Sequence, residues 1–464
     1  MSDSLRAAEA ILRNSILRYR GVAVGTAAAC DPGGLSAVNY EECFIRDFAV
    51  SAMVFLLRGE SEIVRDFLKT VVDIQHQRRA MSGHKLASGM MPASFRIDHD
   101  EEGNELLKAD FGDKAIGRVA PVDSMFWWTI ILGQYVRSSR DLALAEREDF
   151  QEAIRDILNM CLREEFEDFP TLMVPDGSFM IDRRMGVNGH PLEIQTLLYA
   201  TLDVAQDLLR PCPDNEKLIS LVQTRKQALL SYLRIMYWMD LKVLNEVHRF
   251  KTEEFGRSSQ NALNIYPESI PDWLMDWMPD DAGYFVGNLG PSRMDARFFC
   301  RGNLMAISFG IAYEDQAAAL MRLFDARWDD LIGDMPCKIC YPAVSGAEWQ
   351  LTTGSDPKNV PWSYHNGGNW PVLLASFVMA AIKTGREDLA LRARDIADRR
   401  LAEDDWPEYY DGKRGRLVGR RSNFFQIWSA ASYITAHEVL NNHSLVDVYT
   451  PEHWRPAKRE PDCP

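Results

Sequence analysis

Residues 180–195 read MIDRRMGVNGHPLEIQ: an aspartate, two arginines, a histidine, a glutamate and a glutamine, with no periodic apolar face to bury. Six other stretches share this character. They are NYEECFIRD (39–47), SGMMPASFR (88–96), GRVAPVDS (117–124), DDAGYFVGNLGP (280–291), EWQLTTGSDPKNVPWSYHNGGNW (348–370) and WPEYYDGKRG (406–415). Together they mix carboxylates, amides and aromatic rings with glycines that permit unusual backbone angles. Such a set suits sugars, whose hydroxyls need paired donors and acceptors while their C–H faces stack on rings. Cleaving a glycosidic bond takes two carboxyl groups, one protonated acid and one ionised base or nucleophile.

Seven carboxylates sit in loops of the right kind: Asp47, Asp123, Asp182, Glu193, Glu348, Glu408 and Asp411. Several have a structural reading as well. Asp47 follows Arg46 near a helix start and can pair or cap. Asp123 stands where an N-cap is expected. Glu193 falls in the first turn after Pro191, where a carboxylate favours the helix dipole. Asp182 lies in an extended stretch, so Arg183 is expected on the opposite face. That matters, because a close guanidinium would lower its pKa and spoil it as an acid. Spacing along the chain does not choose among the seven. His190 and His365 flank glycine-rich turns, so neither belongs to an apolar helix face.

Other chemistries find less support. No HxxxH or HxH pair is present, and Cys337-Lys-Ile-Cys340 lacks the second pair a zinc site needs, so no metal is expected. NGGNW and GNLGP lack the strand, lysine and spacing of a phosphate loop, and no cofactor is expected. A net charge of −15 makes nucleic acid an unsuitable partner. No run of about 18 apolar residues is found, so no membrane span is expected. The eight cysteines are too dispersed for a disulfide framework, which favours reduced thiols and a cytoplasmic home. The N-terminus lacks the basic-then-apolar order of a secretory signal.

The elements that must hold these loops are helices. Apolar residues at three- and four-residue spacing mark twelve, from an N-terminal one over MSDSLRAAEAILRNSILRYRG to NFFQIWSAASYITAHEVL. Two kinds alternate: SMFWWTIIL and WPVLLASFVMAA are apolar almost all round, while REDFQEAIRDILNM and REDLALRARDIADRRLA carry one stripe and a charged face. Six inner helices, each followed by an outer one, predict a closed double ring with a funnel at one end. No Pro/Gly/Ser linker divides the chain, so residues 1–464 read as one domain. Residues 213–260 read as a helical insertion and 456–464 as a flexible tail. Short β pieces are expected near 168–182 and 336–342, and strands are otherwise scarce.

At this point the motifs NYEECFIRDFAVSAMVFLLRGESEIVRDFL, GRVAPVDSMFWW, FMIDRRMGVNGHPLEIQ, NIYPESIPDWLMDWMP, GSDPKNVPWSYHNGGNWPVLL and DDWPEYYDGKRGR become informative. They closely resemble the alkaline/neutral invertases, glycoside hydrolase family 100, over residues 38–435. The resemblance implies an all-α (α/α)6 barrel that hydrolyses sucrose to glucose and fructose with inversion at the glucosyl carbon. It implies Asp182 as general acid and Glu408 as general base. Sugar contacts are then expected from Tyr40, Arg46, Asp47, Asp123, Arg183, His190, Glu193, Gln195, Tyr284, Trp362, His365, Asn366, Tyr409 and Gln426. It also implies a cytoplasmic enzyme that self-associates, with hexamers as the guess. The chain departs from the family at Glu348-Trp349-Gln350 (EWR) and at Gln426-Ile427-Trp428-Ser429 (QTWS). Other readings of such a barrel are a trehalase-like inverting α-glucosidase, a non-catalytic sugar-binding protein, or an epimerase or isomerase. The last needs facing histidine bases, for which only His190 and His365 are on hand.

Overall fold

The computed structural model describes residues 2–33, 38–82, 88–113, 120–162, 167–249, 265–290 and 293–450. Six of its helices are apolar round nearly their whole circumference. They are α2 (Ile45–Leu57), α4 (Val122–Ser139), α6 (Leu192–Leu208), α8 (Cys300–Ser308), α10 (Leu374–Lys383) and α12 (Ile427–Asn441). In α4 every side chain from Asp123 to Tyr135 is buried, which only a helix surrounded by others can satisfy. Each packs on the next in chain order, and α12 packs on α2, so the ring closes.

The outer ring uses the striped sequences. It consists of α1 (Asp3–Asn14), α3 (Ser61–Ser82), α5 (Glu148–Cys161), α7 (Pro213–Met236), α9 (Glu314–Ala326) and α11 (Glu387–Arg400). In α5 the buried positions Phe150, Ala153, Ile154, Ile157, Leu158 and Cys161 recur every three or four residues. Helix α3 lies against α2 and α4, α7 against α6, and α11 against α10 and α12. The N-terminal α1 packs on α12, so the start of the chain supplies an outer partner for the last inner helix. The long charged stretch from 213 is thus, as far as Met236, an outer-ring helix. Residues 250–260 and the tail 456–464 lie outside the described residues.

Strands are more numerous than the sequence pattern announced. The N-terminal helix stops at Asn14, and Ile16–Tyr19 pairs with Val22–Thr26 through a two-residue turn. That turn is Arg20-Gly21, both at positive φ, the combination that suits the twist of a hairpin. Ser94–His99 pairs with Cys43–Phe44 and Glu105–Asp110. A four-stranded sheet runs Cys340–Tyr341, Arg293–Phe299, Gly283–Gly290, Trp238–Asp240. Its strand Gly283–Gly290 is buried on both faces as far as Leu289, so it offers no alternation to read. The expected β pieces appear as Glu167–Asp168 paired with Thr171–Leu172, and as Cys340–Tyr341.

Helices α4 and α6 approach closely at Gly133, where an added Cβ would meet Val204 Cγ1 at 2.6 Å. Glycine inside a helix ordinarily costs about 1 kcal/mol against alanine. Here the sign reverses: Gly133→Ala is expected to destabilise the chain by about 1–2 kcal/mol, overpacking outweighing propensity. Denaturant unfolding checks this, and a stabilised variant would show that the rings are looser than drawn.

Candidate active site

Because helices of the inner ring run the same way, the loops before them gather at one end. The first turns of α2, α4 and α6 carry Asp47, Asp123 and Glu193, each placed where the helix dipole favours a carboxylate. Between these ends opens a cavity of about 680 Å³. Asp182 and Glu408 both line it.

Asp182 comes from the irregular stretch before α6 and keeps 24% of its side chain open. Its oxygens lie 3.8 Å from Arg46 Nη1 and 3.6 Å from His365 Nδ1. Burial pushes its carboxyl up to about 6, with Arg46 opposing and the Glu408 charge reinforcing the rise. Arg46 is not free to neutralise it, because its Nε donates to buried Asp123. Burial likewise raises Asp47 to about 7, and Glu193 to about 7 despite Arg301 at 3.6 Å. His365 Nδ1 makes no hydrogen bond among the described residues, and burial among cations holds the ring well below its usual pKa, hence neutral.

Glu408 is 2% exposed, yet its carboxylate is well supplied with donors. Tyr40 Oη donates to Oε1 at 2.6 Å and Asn423 Nδ2 to Oε2 at 3.3 Å, while Lys358 Nζ stands 3.8 Å from Oε2. The lysine is steadied by the Tyr364 ring, 3.9 Å from its Nζ, and by its backbone N–H to Asp356. The same Asp356 accepts from Arg183 Nη1 at 2.6 Å. Arg183 was expected on the face opposite Asp182; it lines the same cavity, turned to Asp356 at the rim. Aromatic rings form one wall. His365 stacks on Trp370 at 5.1 Å, and Trp370 on Tyr409 at 5.3 Å. Trp362, Tyr364, Asp405 and Trp406 hold positive φ on either side of these residues, a conformation that costs energy outside glycine.

Of the expected contacts, Tyr40, Arg46, Asp47, Arg183, His365 and Gln426 line the cavity with Asp182 and Glu408. Asp123, Glu193 and Tyr409 sit behind its wall. The rest are employed elsewhere. Gln195 gives both ends of its amide to the Leu172 backbone. Asn366 ties Val344 and Asn359. Tyr284, fully buried, donates to Ala296 O. Trp362 packs on Tyr341. His190 lines a second cavity, its Nδ1 3.1 Å from Thr171 Oγ1. Among the carboxylates, Glu348 lines that second cavity and Asp411 accepts from the Arg420 N–H in a hairpin. Residues 117–119 of the GRVAPVDS loop lie outside the described residues. Sequence reasoning passed over Lys358, Asp356, Tyr364, Trp370 and Trp428, all of which line the cavity. A lysine in DPKNVPW reads as solvated, and only the fold shows it 19% exposed beside a carboxylate.

Comparisons with known proteins agree. A profile of the family described as alkaline and neutral invertase matches residues 8–443. Neutral/alkaline invertase 1, mitochondrial, of Oryza sativa subsp. japonica is 48% identical, covering 96% of this chain and 72% of the relative. Cytosolic invertase 1 of the same organism is 48% identical, covering 96% and 80%. Among solved structures, a wild-type glycosidase superposes with a TM-score of 0.56 over 95% of this chain and 96% of its own, at 16% identity, a likeness of fold. By sequence over nearly its whole length and by the double ring it builds, the chain belongs to the alkaline and neutral invertase family of glycoside hydrolases.

Proposed function

We propose that the funnel hydrolyses sucrose with inversion at the glucosyl carbon, Asp182 serving as general acid and Glu408 as general base. The observation that carries the reading is the contrast between two carboxyls in one cavity. Desolvation keeps a proton on Asp182 toward neutrality, whereas Glu408 is met by a phenol, an amide and an ammonium suited to an anion. Asp182 gives its proton to the glycosidic oxygen as the glucosyl C–O bond breaks and fructose leaves. Glu408 takes a proton from a water that attacks the same carbon from the other face. Bulk water then returns Asp182 to its acid form and Glu408 to its base form. Inversion leaves room for that water, so the carboxyl groups are expected roughly 6.5–9.5 Å apart. Asp47, raised to about 7, can donate as well as accept toward a sugar hydroxyl. The ring wall of Tyr364, His365 and Trp370 suits the C–H face of a hexose.

The described cysteines are free thiols, which supports the cytoplasmic reading. Self-association up to hexamers rests on the family resemblance, and light scattering on the purified chain decides it.

Asp182→Asn and Glu408→Gln are each expected to lower kcat by roughly a hundred- to ten-thousandfold while retaining the wild-type circular dichroism. NMR of fresh product should show β-glucose first. Full activity in either variant, or α-glucose first, would remove the proposed roles. In the free enzyme the alkaline limb of kcat/KM is expected near the Asp182 value of about 6, and Glu408→Gln should keep that limb in its residual activity, moved to lower pH because the Glu408 charge helps to raise Asp182.

Stability gives a second readout. Asp182 holds its proton more tightly folded than unfolded, so its burial costs nothing below the ordinary value of 3.8 and progressively more as pH rises to about 6. Asp182→Asn should therefore melt higher than wild type above about pH 6 and match it below about pH 4. Equal melting across that range would show the carboxyl to be solvated.

A further inference from the structure

Behind the loop that carries Asp182 lies a second cavity, larger than the first at about 990 Å³. Four rings, Phe169, Tyr232, Tyr266 and Trp273, stand among its lining. Two of them, Phe169 and Tyr266, are 56% and 58% exposed, Phe169 with the Arg225 guanidinium 5.2 Å from its ring. Its lining also includes buried polar groups: Thr171, His190, Asp295 and Arg297.

Arg297 is the informative one. Its side chain is 8% exposed; Nε and Nη2 bind Asp295, and Nη2 also donates to Met185 O at 2.9 Å. Nη1 has no hydrogen-bond partner among the described residues. A buried guanidinium N–H without an acceptor is costly, and Nη1 is itself shielded, so a small shift of the side chain toward the cavity it lines is what would give it an acceptor on a bound molecule. Asp295 already balances the charge, and Glu348 adds a further negative group to the lining, so an anion is poorly served. A neutral molecule rich in hydroxyls, with C–H faces for the rings, meets every feature.

We infer that this cavity is a second sugar site, taking a neutral mono- or disaccharide, separate from the cleavage funnel. The site shares a wall with the funnel. Val174 and Gly189 exchange backbone hydrogen bonds at 2.7 and 3.0 Å, closing the loop that holds Asp182. Arg297 grips Met185 within that loop. A sugar seated against Arg297 and His190 therefore rests on the segment that positions the acid, whichever bond the funnel cleaves.

The test uses the full-length enzyme with fluorotryptophan incorporated and fluorine NMR. Trp273 reports on the second cavity and is assigned with Trp273→Phe; Trp370 and Trp428 report on the funnel. Titration with fructose and with glucose is expected to move the Trp273 resonance saturably. In Tyr266→Ala that binding should weaken at least about fivefold, and Tyr266→Phe should restore it, with kcat and KM for sucrose unchanged in both. The inference falls if Trp273 stays still while Trp370 and Trp428 respond, or if Tyr266→Ala leaves its isotherm unchanged. It falls too if Trp273 moves with protein concentration alone, which would mark an interface between copies. Movement of Trp273 with a silent funnel would support this site and count against the sugar reading of the funnel.

Discussion

The Arg46–Asp123 ion pair is the interaction on which the rest of the site depends. It joins the first turns of two adjacent inner helices, where both side chains are nearly or wholly removed from water. A buried pair of this kind is weak evidence for stability but strong evidence for position, since separating it would strand a charge. With Nε committed to Asp123, the guanidinium can offer Asp182 only a nitrogen at 3.8 Å. That is close enough to orient the carboxyl and too far to hold it ionised against desolvation, and the carboxyl stays raised. Arg301 of α8 repeats the arrangement two inner helices further round, with Glu193 of α6 on one side and the Trp127 ring at 4.8 Å on the other.

The two carboxyls of the funnel are thus distinguished by what compensates them rather than by how deeply they lie. Glu408 is the more buried of the two, and it alone collects short, direct donors. Depth without donors favours a protonated carboxyl at Asp182, whereas phenol, amide and ammonium neighbours suit an anion at Glu408. Lys358 belongs to this division of labour. Fixed between Tyr364 and the Asp356 turn, it stands by Glu408 and only tempers Asp182 from a distance.

How much of this was legible in the sequence follows from the same physics. The ring was, because inner and outer helices differ in apolar coverage, and that difference survives in a bare string of residues. Strand Gly283–Gly290 was not, because burial on both faces erases the alternation that announces a strand. The hairpin after Asn14 was hidden by ILRYRG continuing the helical spacing of α1, with only Gly21 to mark the turn. In the funnel, residue type gave the chemistry and the wrong membership for some contacts. Gln195, Asn366 and Tyr284 have the polar ends a sugar would want, but backbone groups claim them first. A local pattern does not show which hydrogen-bonding side chains the fold has already spent on itself. His190 shows the same limit differently: a loop only a few residues wide presents Asp182 to one cavity and His190 to another.

The topology explains why so many polar loops could be found at all. An inner helix runs away from the funnel and its outer partner runs back, so each αα-hairpin returns the chain to the end it left. The segments that precede α2, α6, α10 and α12 therefore open on the same space, whatever their place in the sequence. Loops as distant as 39–44, 180–191 and 406–426 become neighbours without any long-range signal between them, which is how Tyr40 comes to donate to Glu408. The ring also bears the cost of what these loops contain: carboxyls with raised pKa values, a neutral histidine whose Nδ1 has no hydrogen bond among the described residues, and non-glycine residues in left-handed conformations. Such features would not persist on an isolated loop. Anchored at both ends to helices that are buried nearly all round, they are held because releasing them would open the core.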